Sequence, residues 1–83
     1  METRVAIIGI IVENDDAVPK IQEQLTKYSE YIIGRMGIPY CKRDIKIISV
    51  AIDAPMDKIN ALTGKIGRLE GVSAKAVYQK SID

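Results

Sequence analysis

An α+β fold, in which two helices lie on one face of a four-stranded antiparallel sheet, follows from three features of this sequence. Four short segments rich in Ile, Val and Ala read as strands, two longer segments repeat apolar residues at helical spacing, and the six alternate as β-α-β-β-α-β. That order is the split βαβ unit of ferredoxin-like folds. Eighty-three residues supply one hydrophobic core, so the whole of 1–83 is expected to form a single domain.

Val5 to Val12 is short, β-branched and bounded by charge, which favours a buried strand over a helix. Asp15 or Asp16 offers a carboxylate to cap the first helix, and Pro19 falls in its first turn, where a missing N–H costs little. Val18, Ile21, Leu25 and Tyr28 then share one helical face, opposite Lys20, Glu23, Gln24 and Lys27. Tyr31 to Ile38 reads as a second strand interrupted by Gly34 and Gly37 and closed by Pro39, with Tyr40 to Asp44 as a polar connection. The shortness of that connection predicts an antiparallel hairpin with a third strand, Ile45 to Asp53. Pro55 opens a second helix whose stripe is Ile59, Leu62, Ile66 and Leu69, and Gly71 stops it. Val72 to Tyr78 is the last strand, and Lys80 to Asp83 is expected to fray.

Composition removes several classes of function. Histidine is absent, and with it the commonest base near neutral pH and the commonest transition-metal ligand. A single thiol, Cys41, can form neither an internal disulfide nor a Cys-x-x-Cys site, a usage that fits a reducing cytoplasm. Twelve basic against eleven acidic residues leave +1, which argues against a chain devoted to binding nucleic acid or anionic lipid. The apolar run after Arg4 is too short to span a bilayer and leads into Glu13-Asn14-Asp15-Asp16 rather than a cleavage site, so a soluble, cytoplasmic protein with no membrane partner is expected.

The sheet carries the informative anomaly. Ala6, Ile8, Ile10 and Val12 share one parity and Val5, Ile7, Gly9 and Ile11 the other, while Ile45, Ile47 and Ala51 oppose Ile48, Val50 and Ile52. Both faces are apolar, although helices can cover only one. An exposed apolar face of this kind marks an association surface, so a homo-oligomer, dimer or tetramer, joined through the sheet is expected. Sheet twist and long lysine stems would be the alternative cover.

The candidate motifs are weaker. Glu13-Asn14-Asp15-Asp16 gathers oxygens that a hard cation could use, but it matches no calcium loop and reads as a helix cap with solvated neighbours. Gly34-Arg35-Met36-Gly37-Ile38-Pro39-Tyr40 places a guanidinium between two glycines, either to hold an anion or as an edge strand pairing with another subunit. Thr63-Gly64-Lys65-Ile66-Gly67-Arg68 fails as a phosphate loop because Gly-Lys falls inside a helix and Ile66 replaces the hydroxyl, so close packing of the helix competes with a ligand contact. Cys41 beside Lys42 and Arg43 would have a stabilised thiolate but no base or resolving cysteine. Lys42 and Arg43, with Arg35 and Lys46, form a basic cluster that could touch phosphates, which makes direct nucleic-acid binding the alternative function. An acidic first βα loop disfavours a small phosphatase, and the lack of paired cysteines there disfavours a metal chaperone.

Three stretches resemble the iron-only hydrogenase system regulator family. They are Arg4 to Glu13, Tyr31 to Tyr40 with its Gly-Arg-Met-Gly-Ile-Pro-Tyr motif, and Ala61 to Leu69 with Gly71-Val72. The resemblance implies a small ACT-like domain, similar to the ligand-sensing domain of nickel-responsive repressors, and a non-enzymatic, regulatory role near hydrogenase maturation. Nickel ligation in those repressors uses histidines, which this chain lacks, and amino-acid-binding ACT domains place a glycine where Asp15-Asp16-Ala17 stands. The repressors' DNA-binding segment would precede the first strand, where Met1 to Thr3 stand, so the resemblance implies a protein partner for DNA binding. No cofactor and no metal site are expected. A small-molecule effector site between subunits is expected at Arg35, Met36, Gly37 and Tyr40, with Lys65 and Arg68 as anion contacts.

Overall fold

A computed structural model describes residues 2–80; of the expected frayed tail, 81–83 lie outside the described residues. The elements are β1 (Arg4–Val12), α1 (Val18–Lys27), β2 (Ile32–Tyr40), β3 (Ile45–Ala54), α2 (Met56–Gly67) and β4 (Val72–Tyr78), with short 3₁₀ turns at Asp15–Ala17 and Ser29–Tyr31. The sheet is antiparallel throughout, in the order β2-β3-β1-β4. The expected βαββαβ architecture is therefore present, with β2 and β4 at the edges.

Alternation along each strand sorts side chains between a helix-covered face and an open face. Ala6, Ile8, Ile10 and Val12 of β1 and Ile48, Val50, Ile52 and Ala54 of β3 are buried beneath the helices. Ile21 and Leu25 of α1 and Ile59, Leu62 and Ile66 of α2 meet them, each burial worth about 1.5–3 kcal/mol. Val18, Tyr28 and Leu69, the remaining members of the two stripes, pack at the margin of this core. Among the described residues no buried side chain is polar or charged.

Several boundaries differ from the sequence reading: β1 starts one residue earlier, at Arg4, and α2 ends at Gly67, before Leu69 and Gly71. The cap at the β1–α1 junction is Asn14, whose Oδ1 accepts the Asp16 N–H at 3.1 Å, while Asp15 and Asp16 lie inside the 3₁₀ turn. Asn14 precedes the turn and is extended, as an N-cap must be. Strand β2 starts at Ile32, Tyr31 being the end of a 3₁₀ turn, and runs through Pro39 to Tyr40, which pair with Lys46 and Ile45. Proline is tolerated because β2 is an edge strand, where a missing N–H can face away from the ladder. Strand β3 extends one residue further than read, to Ala54.

Two turns are tied together at one end of the molecule. Glu13 N–H donates to the Gly71 carbonyl at 2.7 Å, and the Asn14 amide donates to the Glu70 carbonyl at 3.3 Å. Gly71 has φ +74°, and a Cβ there would lie 2.7 Å from the Asn14 Cβ. Substitution Gly71→Ala therefore meets both backbone strain and a clash, and is expected to cost about 1–3 kcal/mol in denaturant unfolding. An unchanged unfolding midpoint would contradict this account of the turn.

Candidate functional site

The motif Gly34 to Tyr40 lies on edge strand β2, where every residue after Ile32 is exposed. Register assigns its side chains to faces. Arg35 pairs with Val50 and Gly37 with Ile48, both core residues, so these two share the helix-covered face. Met36 pairs with Ser49, Ile38 with Ile47 and Tyr40 with Ile45, which places those three on the open face. Pleating thus divides five residues that are near neighbours in sequence. A register shift between Ile32 and Gly34 sets the parity, consistent with the bulge that the glycine suggested.

On the helix side, Arg35 borders a depression of about 320 Å³ with Leu25, Thr26, Ser29, Ile32 and Ile33. Gly37 borders a second one of about 160 Å³ with Val18, Gln22, Pro39, Lys46 and Ile48. Both lie along the seam between α1 and β2. Lys65, in the last turn of α2, donates to the Tyr28 hydroxyl at 3.3 Å and stands 5.5 Å over that ring, a cation–π contact. Arg68 caps α2 beside the Glu70–Gly71 turn. The six expected site residues therefore occupy the open face, the α1–β2 seam and the end of α2, rather than one pocket of a single chain.

The other candidates resolve differently. Lys46 forms an ion pair with Asp15 at 2.9 Å and so leaves the basic cluster, while Lys42, Arg43 and the exposed Cys41 occupy the β2–β3 turn. The Asn14 side chain caps the turn and Asp15 pairs with Lys46, and the described residues contain no group of three His, Cys, Asp or Glu side chains placed for a metal. A Cβ at Gly67 would reach the Ala74 Cβ at 3.8 Å, ordinary contact, and one at Gly64 would meet nothing within 4 Å. Packing within this chain does not require either helical glycine. No helix among the described residues is long and apolar enough to cross a membrane.

The open face is the largest unpartnered feature. Val5, Ile7, Ile11, Ile47, Met36, Ile38, Tyr40 and Val77 lie there with relative exposures from 39% to 72%. Eight large apolar residues on one face of one sheet are more than scattered surface hydrophobics account for. Lysine stems do not cover it: among the paired strand positions of this face the only charged residues are Asp53 on β3 and Lys75 on β4. A depression of about 420 Å³ runs across it, bordered by Ile7, Gly9, Ile11, Ile47, Lys75 and Val77. Sequence reasoning found the apolar parity but missed Asp53 and Lys75, because their common face follows only from the strand register.

The sequence matches a family profile over residues 4–76, TM1266-like, described provisionally as an iron-only hydrogenase system regulator. Among solved structures it is similar to TM1266 from Thermotoga maritima, with 35% identity and a TM-score of 0.90 over 95% of this chain and 100% of that one. It also resembles the ACT domain of GTP pyrophosphokinase from Chlorobium tepidum, with 20% identity and a TM-score of 0.75 over 90% and 99% of the two chains. The C-terminal domain of MgtC from Mycobacterium tuberculosis follows at 10% identity and 0.74 over 99% and 94%. The last two establish likeness of fold, the ACT-like arrangement. Among curated proteins nothing matches.

Open space at Gly64 yields a prediction. Gly64→Ala should stabilise the isolated fold by about 0.5–1 kcal/mol, because alanine costs less backbone entropy in a helix. Thermal unfolding should then shift upward by several degrees, about 4–8 °C per kcal/mol. Weakened assembly in this variant would instead show that the glycine admits a neighbouring chain.

Proposed function

The chain belongs to the TM1266-like family of iron-only hydrogenase system regulators, and from that premise we propose that it is a non-enzymatic regulatory module, one ACT-like domain that works as a homo-oligomer. The observation that carries this reading is the open face of the sheet. Its apolar residues are more than a third to nearly three quarters exposed on the face that the helices leave open, and further copies of the chain are the cover that fits such a surface.

A small anionic effector is proposed at the edge of β2 where subunits meet. Arg35 and Gly37 would approach it from the α1–β2 seam, Met36 and Tyr40 from the open face, and Lys65 and Arg68 would supply further cations. Assembly is what would unite residues that a single chain keeps apart. Where regulation reaches transcription, DNA contact is assigned to a protein partner, because Lys42 and Arg43 alone neutralise too few phosphates for useful affinity. Cytoplasmic residence accords with the free, exposed Cys41.

Native mass spectrometry of anaerobically purified protein tests the effector site. The expected spectrum shows an assembly carrying a reproducible extra mass, which Arg35→Ala reduces or abolishes. Retention of the same mass by Arg35→Ala would remove this site.

A further inference from the structure

The two charges on the open face specify how copies meet. Asp53 lies opposite Val5 across β3 and β1, and Lys75 lies opposite Gly9 across β4 and β1. The line joining them therefore crosses β1 at Ile7, midway between Val5 and Gly9. Ile7 is itself half exposed and flanked in register by Ala51 and Val77. At about 3.3 Å per residue and 4.8 Å between strands, the two charges stand about 16 Å apart, symmetrically about Ile7. Neither has an ion-pair partner among the described residues.

We propose that the open face binds a second copy of this chain about a twofold axis over Ile7, perpendicular to the Asp53–Lys75 line, with two reciprocal Asp53–Lys75 ion pairs. This rests on the oligomeric reading above and adds its register. An isologous contact must present each residue to its symmetry mate's complement, and one acid and one base placed symmetrically about an apolar centre satisfy that condition. The axis sets Ile7 against Ile7 of the partner subunit and crosses the two sheets at roughly 70°, near the orthogonal class of sheet packing. Axes along or across β1 through the same centre leave Asp53 and Lys75 opposite Ser49 or Gln79 instead. Such arrangements would bury two unpaired charges per subunit, which is costly. The hairpin end of the face, with Ile11, Ile38, Tyr40 and Ile47, extends beyond this contact, so the effector site at the β2 edge requires a second contact between copies there.

Charge exchange tests the register. Asp53→Lys and Lys75→Glu each place like charges together twice, so each variant alone should associate at least ten-fold more weakly than the parent chain in sedimentation. An equimolar mixture should recover association as a mixed complex, because the introduced lysine of one chain then meets the introduced glutamate of the other, and the unaltered Lys75 meets the unaltered Asp53. Ile7→Asp provides the control, an exposed position where circular dichroism verifies folding. If Ile7→Asp dissociates the assembly while both charge variants associate like the parent, the register is wrong and the face reading survives. If all three variants assemble like the parent, or the parent is monomeric, both are wrong.

Discussion

Two helices can cover only one face of a four-stranded sheet, and this limit governs the rest of the molecule. Every residue of β1 from Val5 to Val12 is apolar or glycine, so whichever parity the helices bury, the other is left facing water. The buried parity supplies the core beneath α1 and α2, an all-apolar interior that accounts for folding. The remaining parity contributes little to the fold of one chain, since Ile7, Met36 and Val77 stay more than half exposed. Association would relieve that exposure, which is why the proposed regulatory and oligomeric readings depend on the same surface.

Much of the fold was legible because its signals were local. Gly71 and the alternation that follows it located β4 to the residue, since a positive φ and a close approach to Asn14 leave only glycine acceptable there. Pro39 misled at β2 because proline reads equally as a strand end and as an edge-strand residue, and the position of β2 in the sheet decides between them. The carboxylates of Asp15 and Asp16 outranked Asn14 on charge alone, whereas the cap falls to the residue whose backbone is extended.

The candidate site was less legible for a reason of geometry. Adjacent strand residues point to opposite faces, so the compact motif from Arg35 to Tyr40 is divided by the pleat, and the irregularity between Ile32 and Gly34 decides which member goes where. Conversely, Asp53 and Lys75 are remote in sequence yet are related by register across β1. Hydrophobic parity can be read without a partner strand. The sharing of a face by residues on different strands cannot.

Fold similarity to the ACT domain of a GTP pyrophosphokinase establishes the ACT-like arrangement and the family match places the chain among TM1266-like proteins, while its own surface supplies the argument for how a regulatory module would be built. Sedimentation equilibrium of the unmodified chain across a range of concentrations tests the central claim that the open face is a subunit contact. The account predicts a mass of at least twice the 9.2 kDa of one chain at micromolar concentration. A mass of one chain at every concentration would contradict it.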